Sequence, residues 1–197
     1  MKGILFRNWK IKAILADPGR EWQTRRVMKP QPNSDVVGFT KHGDEYLAEI
    51  LYNNLETGEI EKYICGDIQK RIKPRYQVGE VVYTKEACFI GGVPPHEWVT
   101  FKGEKGIDDS RMVWRSPLFM PAWAARYFVK ILDVTPQRLQ EISETDILAE
   151  GCPQIVASCG LEVQWFKDIW DSDNPKFPWA MNPWVFKYVV KLVEKEE

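Results

Sequence analysis

Short apolar segments, separated by proline, glycine or polar turns, are the feature that most constrains the fold of this chain. Runs of this length, rich in valine, isoleucine and aromatic residues, are typical of β-strands. Many short strands beside few helices favour an α+β fold, a small mixed or antiparallel and partly open β-barrel with flanking helices, over a βαβ fold. The segments expected to be strands are 45–52, 60–65, 80–88, 98–102, 112–115, 127–134 and 184–193.

Three segments predict helices. Asn8 is expected to cap a short helix that presents Ile11, Ile14 and Leu15 on one face and ends at Pro18-Gly19. Ser143 followed by Asp146 resembles a capping box, and Gly151 suits the left-handed position after a helix. Residues 161–170 carry their apolar side chains at helical spacing.

The length of 197 residues predicts one domain, because domains commonly hold about 100–150 residues. Within it, residues 35–70 are expected to form a hairpin insertion or decoration. Segments 45–52 and 60–65 would pair there around Thr57-Gly58, beside a loop at His42. Lys29–Asn33 is expected to be an extended connector, because each residue that precedes a proline disfavours the helical region.

Composition excludes several classes of protein. The chain has four cysteines and two histidines without a C-x-x-C pair, so we expect neither a metal site nor a disulfide scaffold, and no cofactor. No apolar run approaches the ~18 residues of a membrane span, and Arg7, Lys10 and Lys12 interrupt any signal-peptide core. We therefore expect a cytoplasmic protein. The common nucleotide-binding and hydrolase motifs are absent.

Charge is unevenly distributed although the net charge is only −1. Residues 1–30 contain eight basic and two acidic residues, and residues 111–130 contain four basic residues without an acid. Residues 134–173 contain eight acidic residues and two basic ones. Two explanations remain open: the oppositely charged segments attract each other within one fold, or the molecule presents a basic face to a ligand. Most of the nine tryptophans should pack in the core, but some could stack on nucleobases.

Residues 19–30 place several cations beside a hydroxyl on a segment that follows the first helix. Side chains alternate along an extended segment, so Thr24 and Arg26 should share one face and Arg25 should lie on the other. A guanidinium beside a hydroxyl suits a phosphate or the carbonyl group of a base. The structural alternative is an arginine paired with an acid of helix 143–150.

Several ordered motifs resemble the phage and prophage type of ASCH-domain proteins. The first is Gly19-Arg20-x-x-Gln23-Thr24-Arg25-Arg26-Val27-x-Lys29-Pro30. The resemblance continues through segments 76–86, 114–126, 139–144, 149–151, 170–172 and 179–185, and residues 35–70 are the least covered. It implies a PUA-like barrel, in which a cleft between barrel and helix accepts RNA or a nucleobase, in a bacterial host cell.

The resemblance also raises an enzymatic alternative, because some small ASCH proteins are amidohydrolases that deacetylate acetylated cytidine. Their catalytic threonine and glutamate correspond to Thr24 and Glu150. Their lysine corresponds to Glu21, which departs from the pattern, and Lys85 could supply the missing ammonium group. The sequence therefore predicts an RNA- or nucleotide-binding protein, with an amidohydrolase of acetylated cytidine or a similar modified base as the alternative.

The candidate site residues fall into two sets. Thr24, Arg26 and Glu150 are expected to meet in one cleft, where Arg26 would pair with Glu150. Trp123 is expected to pack in the core beneath Arg126 in preference to stacking on a base, and Tyr83 should share a strand face with Lys85. The expected ligand-binding residues are Arg20, Arg25, Arg26, Lys29, Tyr83, Lys85, Arg115, Trp123 and Arg126. The expected partners are RNA, a nucleoside or a nucleotide, without a membrane or a metal.

Overall fold

The computed structural model describes residues 1–32, 36–42, 45–51, 71–93, 95–102, 104 and 112–194. The chain divides into two compact units. Unit 1 comprises Met1–Arg20, Val81–Lys130 and Lys191–Glu197, and unit 2 comprises Glu21–Glu80 and Ile131–Val190. The architecture is α+β, as expected from the sequence.

Ten strands and four α-helices are defined in the described residues. The strands are β1 (Gly3–Leu5), β2 (Trp22–Val27), β3 (Val36–His42), β4 (Glu45–Leu51), β5 (Arg71–Ile72), β6 (Val81–Lys85), β7 (Cys88–Gly91), β8 (Trp98–Phe101), β9 (Phe128–Arg138) and β10 (Trp184–Val193). The helices are α1 (Asn8–Ala16), α2 (Glu144–Ala149), α3 (Gln154–Ala157) and α4 (Glu162–Asp173).

Three sheets organise these strands. The largest is mixed and five-stranded, with the order β1-β6-β9-β10-β2. Its β1 runs parallel to β6, whereas β6 is antiparallel to β9 and β10 is antiparallel to β2. The second sheet has the order β3-β4-β5, and the third is the β7-β8 hairpin.

The strand predictions are confirmed most closely where apolar residues are continuous. The final strand begins and ends where expected, at Trp184 and Val193, and β9 extends the expected 127–134 segment to Arg138. The expected strand 80–88 is instead two strands, β6 and β7, because the chain leaves the extended pairing at Glu86 and Ala87. At residues 112–115 the structure contains a single antiparallel bridge, between Arg115 and Cys88.

The expected hairpin at residues 35–70 is only partly within the described residues. Segment 45–52 contains strand β4, whose partners are β3 and β5. Segment 60–65 lies outside the described residues, as does the turn at Thr57-Gly58. His42 is the last residue of β3 and pairs with Glu45.

The helix predictions are confirmed in position, with one correction to a cap. Asn8 is the first residue of α1 and does not cap it, because the N-cap position is occupied by Arg7. Ser143 does cap α2: its hydroxyl oxygen accepts a hydrogen bond from the Asp146 backbone N–H at 3.2 Å. Gly151 adopts a φ of 101° after that helix, in the left-handed region that favours glycine.

Each unit has its own apolar core. In unit 2, α2 and α4 pack against β10 in a buried cluster that comprises Leu139, Ile147, Cys152, Phe166, Trp170 and Val185. In unit 1, the β7-β8 hairpin packs against residues 117–125 through Cys88, Phe101, Met120 and Ala124. None of the helices in the described part of the chain is long and apolar enough to cross a membrane.

Candidate functional site

Strand β2 carries the first candidate residues. It pairs with β10 so that Thr24 lies opposite Tyr188 and Arg25 lies opposite Lys187. Alternation along β2 therefore places Thr24 and Arg26 on one face of the sheet and Gln23, Arg25 and Val27 on the other. This alternation agrees with the sequence prediction.

The Arg25 face of β2 is covered by α2. The Arg25 guanidinium donates from Nη2 to Asp146 Oδ2 at 2.6 Å and from Nη1 to Glu150 Oε1 at 3.1 Å. Gln23 donates from Nε2 to the other Asp146 oxygen at 2.8 Å. The Arg25 side chain is only 1% exposed, so this cluster is an interior contact between a strand and a helix. Two carboxylates on one guanidinium fork make charge-assisted hydrogen bonds in a fixed geometry.

These contacts overturn the expected cleft of Thr24, Arg26 and Glu150. Arg25 makes the ion pair with Glu150 that was expected of Arg26. Because α2 packs on the Arg25 face, Glu150 lies on that face, whereas alternation puts Thr24 on the opposite one. The arrangement found is the structural alternative, an arginine paired with acids of helix 143–150. Arg25, which is expected to contact a ligand, is buried and paired with two acids of this segment.

The Thr24 face of β2 is packed with aromatic rings. Thr24 is 3% exposed, and its cross-strand neighbour Tyr188 meets the Tyr76 ring edge-on at a centroid distance of 5.5 Å. Burial raises the pKa of Tyr188 well above its usual value, although the Arg26 charge acts in the opposite direction. The Thr24 hydroxyl therefore lies within a buried surface.

The remaining candidates of segment 19–30 are more accessible. Arg20, Glu21 and Lys29 are exposed, and Arg26 is partly buried. The Lys29 ammonium lies 5.9 Å from the centre of the Phe177 ring, a cation–π contact within unit 2.

In unit 1, Tyr83 and Lys85 share one face of β6, as expected, and both reach the same bend of the chain. Lys85 Nζ donates to the Leu118 carbonyl at 2.9 Å, and the Tyr83 hydroxyl donates to the Met120 carbonyl at 3.3 Å. Both side chains cross Gly3, where an added Cβ would lie 2.5 Å from Lys85 Cε and from Tyr83 Cζ. The missing side chain at Gly3 thus permits both contacts to the bend.

Arg126 is held by Glu86. Its Nε and Nη2 donate to the two Glu86 carboxylate oxygens at 3.0 and 2.9 Å. The guanidinium carbon lies 3.9 Å from the centre of the Phe101 ring and 4.9 Å from that of Tyr127. Burial lowers the pKa of Arg126, but the hydrogen bond and charge of Glu86 outweigh it, so the pKa is raised overall. Arg126 therefore covers Phe101 and Tyr127, although it was expected to cover Trp123.

Residues 115–126, which we call the Trp123 bend, present aromatic side chains to solvent. The bend contains two 3₁₀ turns, Pro117–Phe119 and Ala122–Ala124. Its Met120 and Ala124 side chains are buried in the core of unit 1, whereas Phe119 is 75% and Trp123 is 53% exposed. The expectation that Trp123 packs in the core is therefore wrong, because the turns direct Met120 and Ala124 inward in its place.

Sequence reasoning missed three residues of these clusters. The sequence suggests only a capping role for Asp146, yet its carboxylate binds Arg25 and Gln23. Glu86 is not among the expected site residues, and its partner Arg126 lies 40 positions away. The sequence does not single out Phe119, which is the last residue of the first 3₁₀ turn, Pro117–Phe119.

No family model, no curated protein and no solved structure matches this chain. Within the described residues, no group of three or more histidine, cysteine, aspartate or glutamate side chains is arranged to hold a metal ion.

Proposed function

We propose that this protein binds RNA or a nucleotide through the Trp123 bend of unit 1. The observation that carries the proposal is the exposed Trp123 indole, which is accompanied on the same bend by the exposed Phe119 ring. Exposed aromatic rings next to cations form stacking platforms for unpaired bases, and each stacked base contributes about 1–3 kcal/mol. A bend whose backbone is already held by neighbouring side chains loses little entropy when a ligand binds.

Two cations, one beside this bend and one at its first residue, suit the phosphate groups of such a ligand. Lys85 anchors the bend at Leu118, and the exposed Arg115 begins it. No acidic residue occurs between residues 111 and 130, so the local charge attracts an anionic strand. Arg126 contributes less to this charge, because Glu86 already neutralises it.

We further propose that the chain is a phage-type ASCH protein whose mixed sheet belongs to a small PUA-like barrel, and that it acts in the cytoplasm of a bacterial host. The ordered motifs from Gly19 to Val185 and the mixed sheet with helices packed on it support this proposal. The family resemblance is also what directs the binding proposal to RNA.

The amidohydrolase alternative receives less support. It requires Thr24 and Glu150 to act on one substrate, but Thr24 faces away from the side of β2 on which α2 and Glu150 pack. Thr24 is buried, and Glu150 is engaged by Arg25. In addition, Glu21 stands where the related hydrolases have lysine, and its charge would repel a developing oxyanion.

Binding of a fluorescent single-stranded RNA, measured by anisotropy between about 50 and 200 mM salt, tests the proposal. We expect affinity to fall as salt rises, and Trp123→Ala to weaken binding about fivefold or more. Arg115→Gln should reduce the logarithmic salt slope by about 0.7, the value for one phosphate contact of a single strand. Lys12→Gln, on the exposed side of α1, is the control for net charge. An affinity that is insensitive to salt and to Trp123→Ala would refute the proposal.

A further inference from the structure

A second exposed tryptophan lies on the β7-β8 hairpin of unit 1. The Trp98 side chain is 50% exposed although the hairpin packs into the unit 1 core. Its ring lies across Gly91, where an added Cβ would be 2.4 Å from Trp98 Cζ2. The Phe89 ring supports it from the side, at a centroid distance of 5.4 Å and an interplanar angle of 50°. The indole is thus held in place while half of it faces solvent.

The register of the hairpin explains this placement. Gly91 pairs with Trp98 and Phe89 pairs with Thr100, so Phe89, Gly91 and Trp98 share one face. The opposite face carries Cys88 and Phe101, which pack against the buried residues of the Trp123 bend. An apolar core therefore does not account for Trp98, because the core lies on the other face.

Arg115 connects the hairpin to the Trp123 bend. Its backbone N–H donates to the Cys88 carbonyl at 2.8 Å, which places Arg115 on the edge of β7. The Trp123 bend begins at this same residue. Arg115 therefore offers an exposed cation at the point where the hairpin meets the bend.

We infer that Trp98 is a second base-stacking position and that the ligand is an RNA strand of several nucleotides. A free mononucleotide occupies only one of the two positions. The inference rests on the proposed function and adds the class of ligand to it. Two exposed indoles and an exposed cation at the junction of their segments suit a ligand with several bases and phosphates, since every base offers a stacking face and every linkage a negative charge. The Trp98 position therefore contributes to the binding of an oligonucleotide and contributes nothing to the binding of a mononucleotide.

The test compares two probes, uridine monophosphate and a single-stranded uridine decamer, on the full chain. We expect Trp98→Ala to weaken decamer binding about fivefold or more and to change mononucleotide binding by less than about twofold. Trp98→Phe keeps an aromatic ring and should retain most of the decamer affinity. Trp123→Ala should weaken the binding of both probes.

Gly91→Ala provides a second variant that removes no aromatic ring. The added methyl group occupies the position of the Trp98 ring, and Gly91 is outside the left-handed region, so its backbone accepts alanine. We expect it to displace the indole and reproduce the selective loss of decamer affinity. If Trp98→Ala and Gly91→Ala leave decamer binding unchanged while Trp123→Ala weakens it, this inference is wrong and the proposed function stands. If neither probe binds the unaltered protein, the proposed function itself fails.

Discussion

Arg25 joins β2 to α2 through a hydrogen bond from Nη1 to Glu150 Oε1, 3.1 Å long and spanning 125 positions of sequence. The same guanidinium reaches Asp146 through Nη2. One cation therefore binds two carboxylates inside unit 2. Partners of this kind stabilise a fold mainly by preventing the large cost of an unpaired charge in the interior.

Removal of the Arg25 guanidinium should destabilise the protein strongly. Arg25→Ala removes the guanidinium that binds both Asp146 and Glu150, and we expect a loss of about 3–5 kcal/mol in the free energy of unfolding. Urea denaturation followed by circular dichroism measures this loss. Arg20→Ala, at an exposed arginine, is the control and should change stability by about 0.5 kcal/mol or less. A loss below about 1 kcal/mol for Arg25→Ala would contradict the structural role of this cluster.

Hydrolysis of acetylated cytidine should be weak or absent. The reason is that the Thr24 hydroxyl is buried on the face of β2 opposite Glu150, and that Glu21 replaces the lysine of the related hydrolases. Incubation with N4-acetylcytidine, followed by chromatographic separation of cytidine, measures the activity. Rapid turnover that Thr24→Ala abolishes would show that the enzymatic alternative is correct.

Substitution of Gly3 should loosen the Trp123 bend. In Gly3→Ala the new methyl group collides with the Lys85 and Tyr83 side chains, which hold the Leu118 and Met120 carbonyls. Lys85 can move its flexible end away, but the Tyr83 ring is buried, so we expect a loss of about 1–3 kcal/mol. Thermal unfolding measures the stability, and limited proteolysis reports the opening of the bend. Gly19→Ala is a matched control, because an added Cβ there meets no atom within 4 Å.

The cysteines should differ in reactivity. Burial raises the pKa of Cys88 and of Cys152, so both thiols remain protonated above the usual thiol pKa of about 8.5. Cys159 is exposed, and we expect iodoacetamide to label it before either buried cysteine in the folded protein. Peptide mass spectrometry of briefly labelled protein determines the order. Early labelling of Cys88 would show that the core of unit 1 opens readily.

The raised thiol pKa values also predict the direction of a pH effect. Above about pH 8.5 the unfolded thiols lose protons that the folded state retains, so ionisation favours the unfolded chain. The stability contributed by Cys88 and Cys152 is complete below that pH and decreases as the pH rises further. The urea concentration at the midpoint of unfolding should be lower at about pH 9.5 than at about pH 7. We expect this decrease to be smaller in Cys88→Ala than in the unaltered protein.

Local sequence patterns predicted where helices and strands lie better than they predicted which of these elements contact each other. The cap at Ser143, the stop at Gly151 and the strand from Trp184 to Val193 depend on neighbouring residues, and all are found. Alternation also predicted correctly that Arg25 and Arg26 face opposite ways. It could not predict which of these faces α2 covers, because that depends on how distant apolar residues such as Val27 and Ile147 pack.

The Trp123 prediction failed for a related reason. Hydrophobicity favours burial of a tryptophan, but the two 3₁₀ turns allow only certain side chains of the bend to point inward. Met120 and Ala124 take those positions, and Trp123 remains exposed. A sequence indicates which residues are apolar, but inside an irregular bend it does not fix which of them point inward.

The separation between Arg25 and its partners has a consequence for synthesis of the chain on the ribosome. Arg25 is translated 121 residues before Asp146. At about 5–20 residues per second, this interval lasts about 6 to 24 s. During that time the nascent β2 carries a cation whose two carboxylate partners have not been made, and β10, its neighbour in the sheet, follows later still. Unit 2 therefore folds only after its C-terminal segment has emerged, and a truncated chain that ends before Asp146 lacks the charges needed to bury Arg25.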